Sequence, residues 1–236
     1  MKRPSRLLVG GLAGILALAP CAGCYSARPL IEIPHQQCSL RYDEKNVRIG
    51  VEVIDSGSEA YKMLGYPITN KNFLGAFMRI ENQSETDVLS VERKNMMFQD
   101  RNGYDWTQVE GGAVAGAFAN TEAGIAGATI GASLGLLAPL LMWAFVPAIR
   151  NDFNRKVNDF NSKTLPPKQE LYPQGTACGC VFFSKPKEVR GGFEANLVGG
   201  RLVIPYEIST QDGTRTMDKA TFTLEKPDNY FDRIKK

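Results

Sequence analysis

The chain holds a single histidine, His35, and that scarcity removes much of the commonest catalytic chemistry. A serine or cysteine nucleophile activated by imidazole would have to use this one residue. It follows Pro29 and Pro34 in a stretch with few periodic apolar positions, a context that reads as a solvated tether. His35 with Cys38 is too small a ligand set for zinc. No G-x-x-x-x-G-K-[ST] loop is present, so the glycine-rich middle of the chain is not a phosphate cradle. Asp100-x-Asn102-Gly103-x-Asp105 opens like a calcium loop but lacks the later ligands and the terminal glutamate, and it reads as a hairpin turn. Net charge is also missing. There are 28 Lys and Arg against 25 Asp and Glu, and three of the bases, Lys2, Arg3 and Arg6, fall in the first few residues. The remainder is balanced, which leaves no electrostatic footprint for nucleic acid and no lysine-rich cluster for anionic lipid. No cofactor, metal or catalytic residue is expected.

What the chain does have begins at its start. Lys2, Arg3 and Arg6 precede an apolar run, LLVGGLAGILALA at 7–19, followed by small residues and cysteines. The run is too short to span a bilayer, and its charge lies on the side typical of a secretory signal. Strand patterns follow it. In NVRIGVEVID (46–55) Val47, Ile49, Val51 and Val53 alternate with other residues, as in a half-buried strand. FLGAFMRIENQS (73–84) stops at a turn cluster, and 88–109 reads as two strands joined by Asp100-Arg101-Asn102-Gly103. Segments 177–185, 200–210 and 219–226 complete the pattern, with Asp212-Gly213 as the turn between the last two. Pro205 lies inside a strand and predicts an edge or a bulge there. Seven or so short strands with turn signals predict a mainly β protein, a two-sheet antiparallel sandwich.

An apolar insert interrupts these strands. Between Glu110 and Arg150 the only charge is Glu122, and seven glycines crowd into 111–135. Gly127, Gly131 and Gly135 recur every fourth residue and would form one stripe on a helix, with Gly116 and Gly124 in a neighbouring stripe. Glycine in a water-exposed helix costs about 1 kcal/mol relative to alanine. Small residues at this spacing instead let helix backbones approach closely, as in lipid. Residues 150–163 predict an amphipathic helix with Phe153, Val157 and Phe160 on one face. Strands on both sides of the insert belong to one predicted domain. The insert must therefore cross a membrane an even number of times, dip into one leaflet, or stay out of the bilayer.

Three resemblances add to this reading. Cys21-Ala22-Gly23-Cys24 is similar to the signal-cleavage box of bacterial lipoproteins, although Cys21 stands where that box has an aliphatic residue. The resemblance implies that Cys24 becomes the acylated N-terminus. The rival, Cys21, is preceded by Pro20 at the scissile bond. Acyl chains imply stable membrane attachment. By the enteric sorting rule Tyr25 implies the outer membrane, with the body facing the periplasm. With Cys24 acylated, Cys38, Cys178 and Cys180 remain as candidates for one disulfide in an oxidising compartment. Ile80-Glu81-Asn82-Gln83-Ser84, Asp100…Gly103…Trp106, Pro173-Gln174-Gly175 and Gly179-Cys180-Val181-Phe182-Phe183 resemble the turn and core motifs of immunoglobulin-like domains in exported bacterial proteins. Finally, a lipid anchor combined with a Gly-rich apolar insert resembles the surface-exclusion lipoproteins of conjugative plasmids.

The expected organisation is a signal peptide (1–23), a lipidated tether (24–45), an immunoglobulin-like β-sandwich in two halves (46–110 and 167–226), a helical glycine-zipper insert (111–166) and a tail (227–236). The expected role is that of a non-enzymatic lipid-anchored envelope protein. Its partners would be membrane lipid through the acyl chains, and a second copy or an integral membrane protein through the insert. The alternative is a subunit of an oligomeric assembly or pore built from several inserts.

Overall fold

The structure, a computed structural model, describes residues 29–118, 138–189 and 193–225. Ten antiparallel strands form one open sheet: β1 (Leu40–Glu44), β2 (Val47–Ile54), β3 (Phe73–Asn82), β4 (Val88–Glu92), β5 (Met97–Gln99), β6 (Asp105–Val109), β7 (Lys168–Leu171), β8 (Thr176–Ser184), β9 (Arg201–Ser209) and β10 (Arg215–Thr223). Their spatial order is β1-β2-β3-β8-β6-β5-β9-β4-β7, with β10 on β9. Four helices are described: α1 (Gly57–Leu64), α2 (111–118), α3 (Ala138–Lys163) and α4 (Phe193–Leu197).

Both ends of the sheet share one core. Val47, Ile49, Met78, Ile80, Val181 and Phe183 come from β2, β3 and β8; Leu89, Phe98, Leu202, Ile204, Tyr206 and Phe222 come from β4, β5, β9 and β10. Their alternation along each strand puts them on one face. Tyr42 on β1 and Tyr206 on β9 meet hydroxyl to hydroxyl at 2.7 Å, and Lys45 reaches Asp218 at 2.6 Å. Both contacts join elements far apart in strand order.

The opposite face of β2, β3 and β8 is buried as well, under a second cluster. Phe77, Cys180 and Phe182 on the strands meet Met63 and Leu64 of α1, Val114 and Ala115 of α2, Phe160 of α3, and Ile33 and Cys38 of the leading segment. That explains why β2 and β3 are apolar almost throughout: strands covered on both sides lose the polar half of their alternation. Helix α1 is specified locally. Ser56 caps it by accepting from the Glu59 amide, and Gly65 ends it at a φ of 85°.

Several elements differ from the sequence reading. Residues 24–45 are not all tether, because β1 lies at Leu40–Glu44 and is joined to β2 through Lys45 and Asn46, both at positive φ. Two such residues match the tight turn that suits strand twist. Segment 88–109 holds three strands, since the chain bends through a 3-10 turn at Arg93–Asn95 where the Arg93 side chain turns inward. Strand β7 escaped the pattern, being short and mostly polar. Pro205 is in an interior strand. β9 pairs with β5 through Val203 and with β4 from Glu207 onward, so Pro205 falls in the gap between two short neighbours, where a missing N–H costs little.

Candidate functional site

The feature that organises the insert is its root. The chain leaves the sheet after β6 at Glu110 and comes back at Leu165, and one side chain grips both points. The buried Arg93 guanidinium donates to both carboxylate oxygens of Glu110, at 2.6 and 2.5 Å, and to the Leu165 carbonyl at 2.7 Å. Its backbone joins in: the Arg93 amide donates to Pro167 O at 2.9 Å, and Gln108 Nε2 donates to Arg93 O at 2.7 Å. A planar five-donor fork suits this two-ended grip; a lysine ammonium would not span it.

Glycine sets how closely the two ends approach. A Cβ on Gly111 would lie 2.5 Å from Thr164 Oγ1 and 3.0 Å from the Phe160 carbonyl; one on Gly112 would lie 3.6 Å from Val157. Helices α2 and α3 therefore nearly touch at their sheet-side ends. Gly179 does the same for the exit: a Cβ there would come within 2.7 Å of the Leu165 backbone, which bonds alongside β8 through Leu165 N to Cys180 O. Aromatic rings fill the space beneath the root. Phe160 stacks on Tyr66 at 4.9 Å, lies 6.5 Å from Phe118 and meets Phe182 edge-on at 5.7 Å.

A buried ion pair fixes the end of α3. Lys163, 2% exposed, bonds Asp159 at 2.6 Å and the carbonyl of Leu64 at 2.8 Å. The second contact places an ammonium at the C-terminus of α1, where carbonyls lack helical partners. Two turns earlier, Lys156 pairs with Asp152 at 2.7 Å.

The sequence-predicted site residues divide sharply. Cys24, Gly124, Gly127, Gly131 and Gly135 lie outside the described residues. Gly116 is described, and among the described residues none stands within 4 Å of where its Cβ would be, whereas Gly111 and Gly112 supply the close approach. Cys38, Cys178 and Cys180 are all free thiols. Cys38 nests over Gly50, whose Cβ would lie 2.7 Å from its sulfur. Burial raises the Cys178 thiol and pushes Cys180 up to about 12, far from a reactive thiolate. His35, read as a solvated tether residue, is instead buried, with Nε2 3.4 Å from Tyr42 O. Asp100 spends Oδ1 on the Asn102 and Tyr104 amides of its own turn. Among the described residues no cluster of His, Cys, Asp and Glu could hold a metal, and no helix is long and apolar enough to cross a membrane.

Arg93 was missed because it looks like one charge in the polar run Glu92-Arg93-Lys94-Asn95. No local pattern marks it, because its partners Glu110 and Leu165 lie on the two sides of the insert.

No protein-family model and no curated protein matches the chain. Solved structures resemble it at low score. The yjhA protein of Bacillus subtilis is 10% identical with a TM-score of 0.32, covering 76% of this chain and 95% of that one. A FixG-related protein of Vibrio parahaemolyticus is 7% identical with a TM-score of 0.26, covering 76% and 97%. A DUF4426 family protein of Pseudomonas aeruginosa is 4% identical with a TM-score of 0.27, covering 80% and 100%.

Proposed function

We propose that this is a non-enzymatic, lipid-anchored protein of the bacterial cell envelope. In this reading an immunoglobulin-like β-sandwich carries the apolar insert as an arm that associates with the membrane, or with a second copy inside it. Acylated Cys24 is the anchor, and the body faces the periplasm from the outer membrane. The observation that carries the reading is the Arg93 clamp: the insert leaves and re-enters the sheet within the span of one guanidinium. That supports a closed excursion, a hairpin entering and leaving on one side, over a single crossing. The apolar character of 124–149 supplies the reason such an arm would seek lipid.

The test is flotation of membranes at neutral pH from cells exporting a Cys24→Ala variant behind a conventional cleavable signal. Membrane-bound protein without acyl chains supports the arm; a soluble monomer would refute it. The reading of several inserts forming a pore separates by stoichiometry. Changing Gly127, Gly131 and Gly135 to Leu should dissolve an oligomer while leaving a folded body, and an oligomer that survives rules out packing through those glycines.

A further inference from the structure

The second cluster brings together parts of the chain that the sequence leaves far apart. Leu30 and Ile31, with buried Ile33 and Cys38, pack on the same face of β2, β3 and β8 as Val114, Ala115 and Phe118 of α2 and Val157 and Phe160 of α3. Glu32 adds a 4.0 Å contact to Arg79 of β3. The leading segment and both roots of the insert therefore occupy one layer. Cys24 stands six positions before Leu30, which limits its distance from that layer to about 22 Å even when fully extended.

Charge on the helices of the layer points the same way; the exposed acids of the leading segment and the root, Glu32 and Glu110, each lie beside an arginine, Arg79 and Arg93. On α1 and the described turns of α3, the exposed charged side chains are Lys62, Arg150 and Arg155. The carboxylates there are withdrawn: Glu59 and Asp159 are buried, and Asp152 pairs with Lys156. Tyr61, 51% exposed, and Phe153 add aromatic surface. The outer face of the far half of the sheet is different. It alternates Glu92 with Lys94, Lys168 with Glu170, and Arg215 with Glu207, pairs that cancel. A surface of bases and aromatics suits anionic headgroups and the bilayer interface, and a cancelled one does not.

We propose that the helical layer is the bilayer-facing side of the body, with the anchor and the arm leaving from it together and lipid headgroups as its partner. The β9–β10 face then points away from the membrane. This rests on the reading that Cys24 is acylated and that the insert meets lipid.

The experiment uses the full-length lipidated protein in phosphatidylethanolamine/phosphatidylglycerol vesicles doped with a nickel-chelating headgroup lipid. In a Cys178→Ser background, where the other mature thiols are buried or acylated, a nitroxide is placed at Tyr61→Cys or at Met217→Cys. Both positions are exposed, and far-UV dichroism and the unfolding midpoint check that each variant is folded. The expected result is severalfold stronger paramagnetic relaxation at position 61 than at 217, weakened by replacing phosphatidylglycerol with phosphatidylcholine. Equal relaxation, or stronger relaxation at 217, overturns the orientation. The outcome is separable from flotation of the Cys24→Ala variant. If that variant floats but the labels relax equally, the arm stands and the orientation falls. If it fails to float while position 61 stays closer, the layer faces lipid through the anchor alone.

Discussion

Arg93 is the residue whose loss should be felt most widely. Replacing it with alanine strips the donor from the Leu165 carbonyl and frees Glu110, which at 71% exposure resolvates without difficulty. The cost is that of an unsatisfied buried acceptor, about 1–3 kcal/mol. Arg93→Lys should recover only part of it, because a point charge cannot serve both ends. Urea midpoints of the three proteins check the order. Limited proteolysis should also show new cleavage near Glu110 and Leu165 in Arg93→Ala; an unchanged cleavage pattern would mean the clamp does not hold the root. Lys163 makes a second case. Lys163→Met removes the ammonium that pairs with Asp159 in a dry site, which typically costs about 3–5 kcal/mol, whereas the double change Lys163→Met/Asp159→Leu should be much milder. If the double variant is no more stable than the single, the pair is not coupled as the 2.6 Å contact implies.

Helix α2 offers a contrast between two glycines in one element. At Gly111 an added methyl meets Thr164 and the Phe160 carbonyl; at Gly116 it meets nothing among the described residues. Gly111→Ala should therefore loosen α2 from α3 and lower stability. Gly116→Ala should raise it by up to about 1 kcal/mol through helix propensity alone. Thermal unfolding of both variants reads the opposite signs, and a destabilising Gly116→Ala would mean that this position packs closely after all. The strands carry a similar lesson. β5 and β4 are both too short to cover the whole of β9, and Pro205 occupies the stretch that neither reaches. The free edge of β10 is guarded by Arg215, Asp218 and Lys219, and charges along an edge discourage pairing with another chain.

The whole molecule has an alkaline weakness. Tyr206, almost fully buried, joins the halves of the sheet, and burial with the Tyr42 contact holds its phenol well above the usual range. Cys180 is likewise pushed up to about 12 by burial. Both groups must stay protonated in the fold. In the unfolded chain the thiol ionises near pH 9 and the phenol near pH 10, so above those values the unfolded state holds fewer protons. Their contribution is complete below the unfolded values and is lost as pH rises toward the folded ones, by up to about 1.4 kcal/mol per pH unit for each group. The urea midpoint should fall between pH 8 and about 10.5, and less steeply in Cys180→Ala. An identical slope in that variant would remove Cys180 from the account. Flotation at neutral pH therefore separates the outcomes better than an alkaline wash, in which an unfolded body could sediment with the membranes.

Much of the β architecture was legible in the chain. β9 and β10 follow apolar alternation, and the turns at Asp100–Gly103 and Thr210–Thr214 follow the local chemistry of Asp and Gly, which acts over a few residues whatever the remainder of the protein does. The interruption by an apolar insert and the helix ending at Lys163 were readable for the same reason: composition and periodicity are local. Three things belonged to the tertiary structure. The burial of His35 and Cys38 depends on β1 pairing with β2. Strand β7 exists because β4 offers it an edge. The Arg93 clamp joins residues on opposite sides of the insert. Each rests on contacts between positions distant in sequence, where a charge is worth little in water and much once burial removes its other partners. No local pattern encodes which Arg will meet which Glu; the fold decides that by bringing the two ends of the insert to one place.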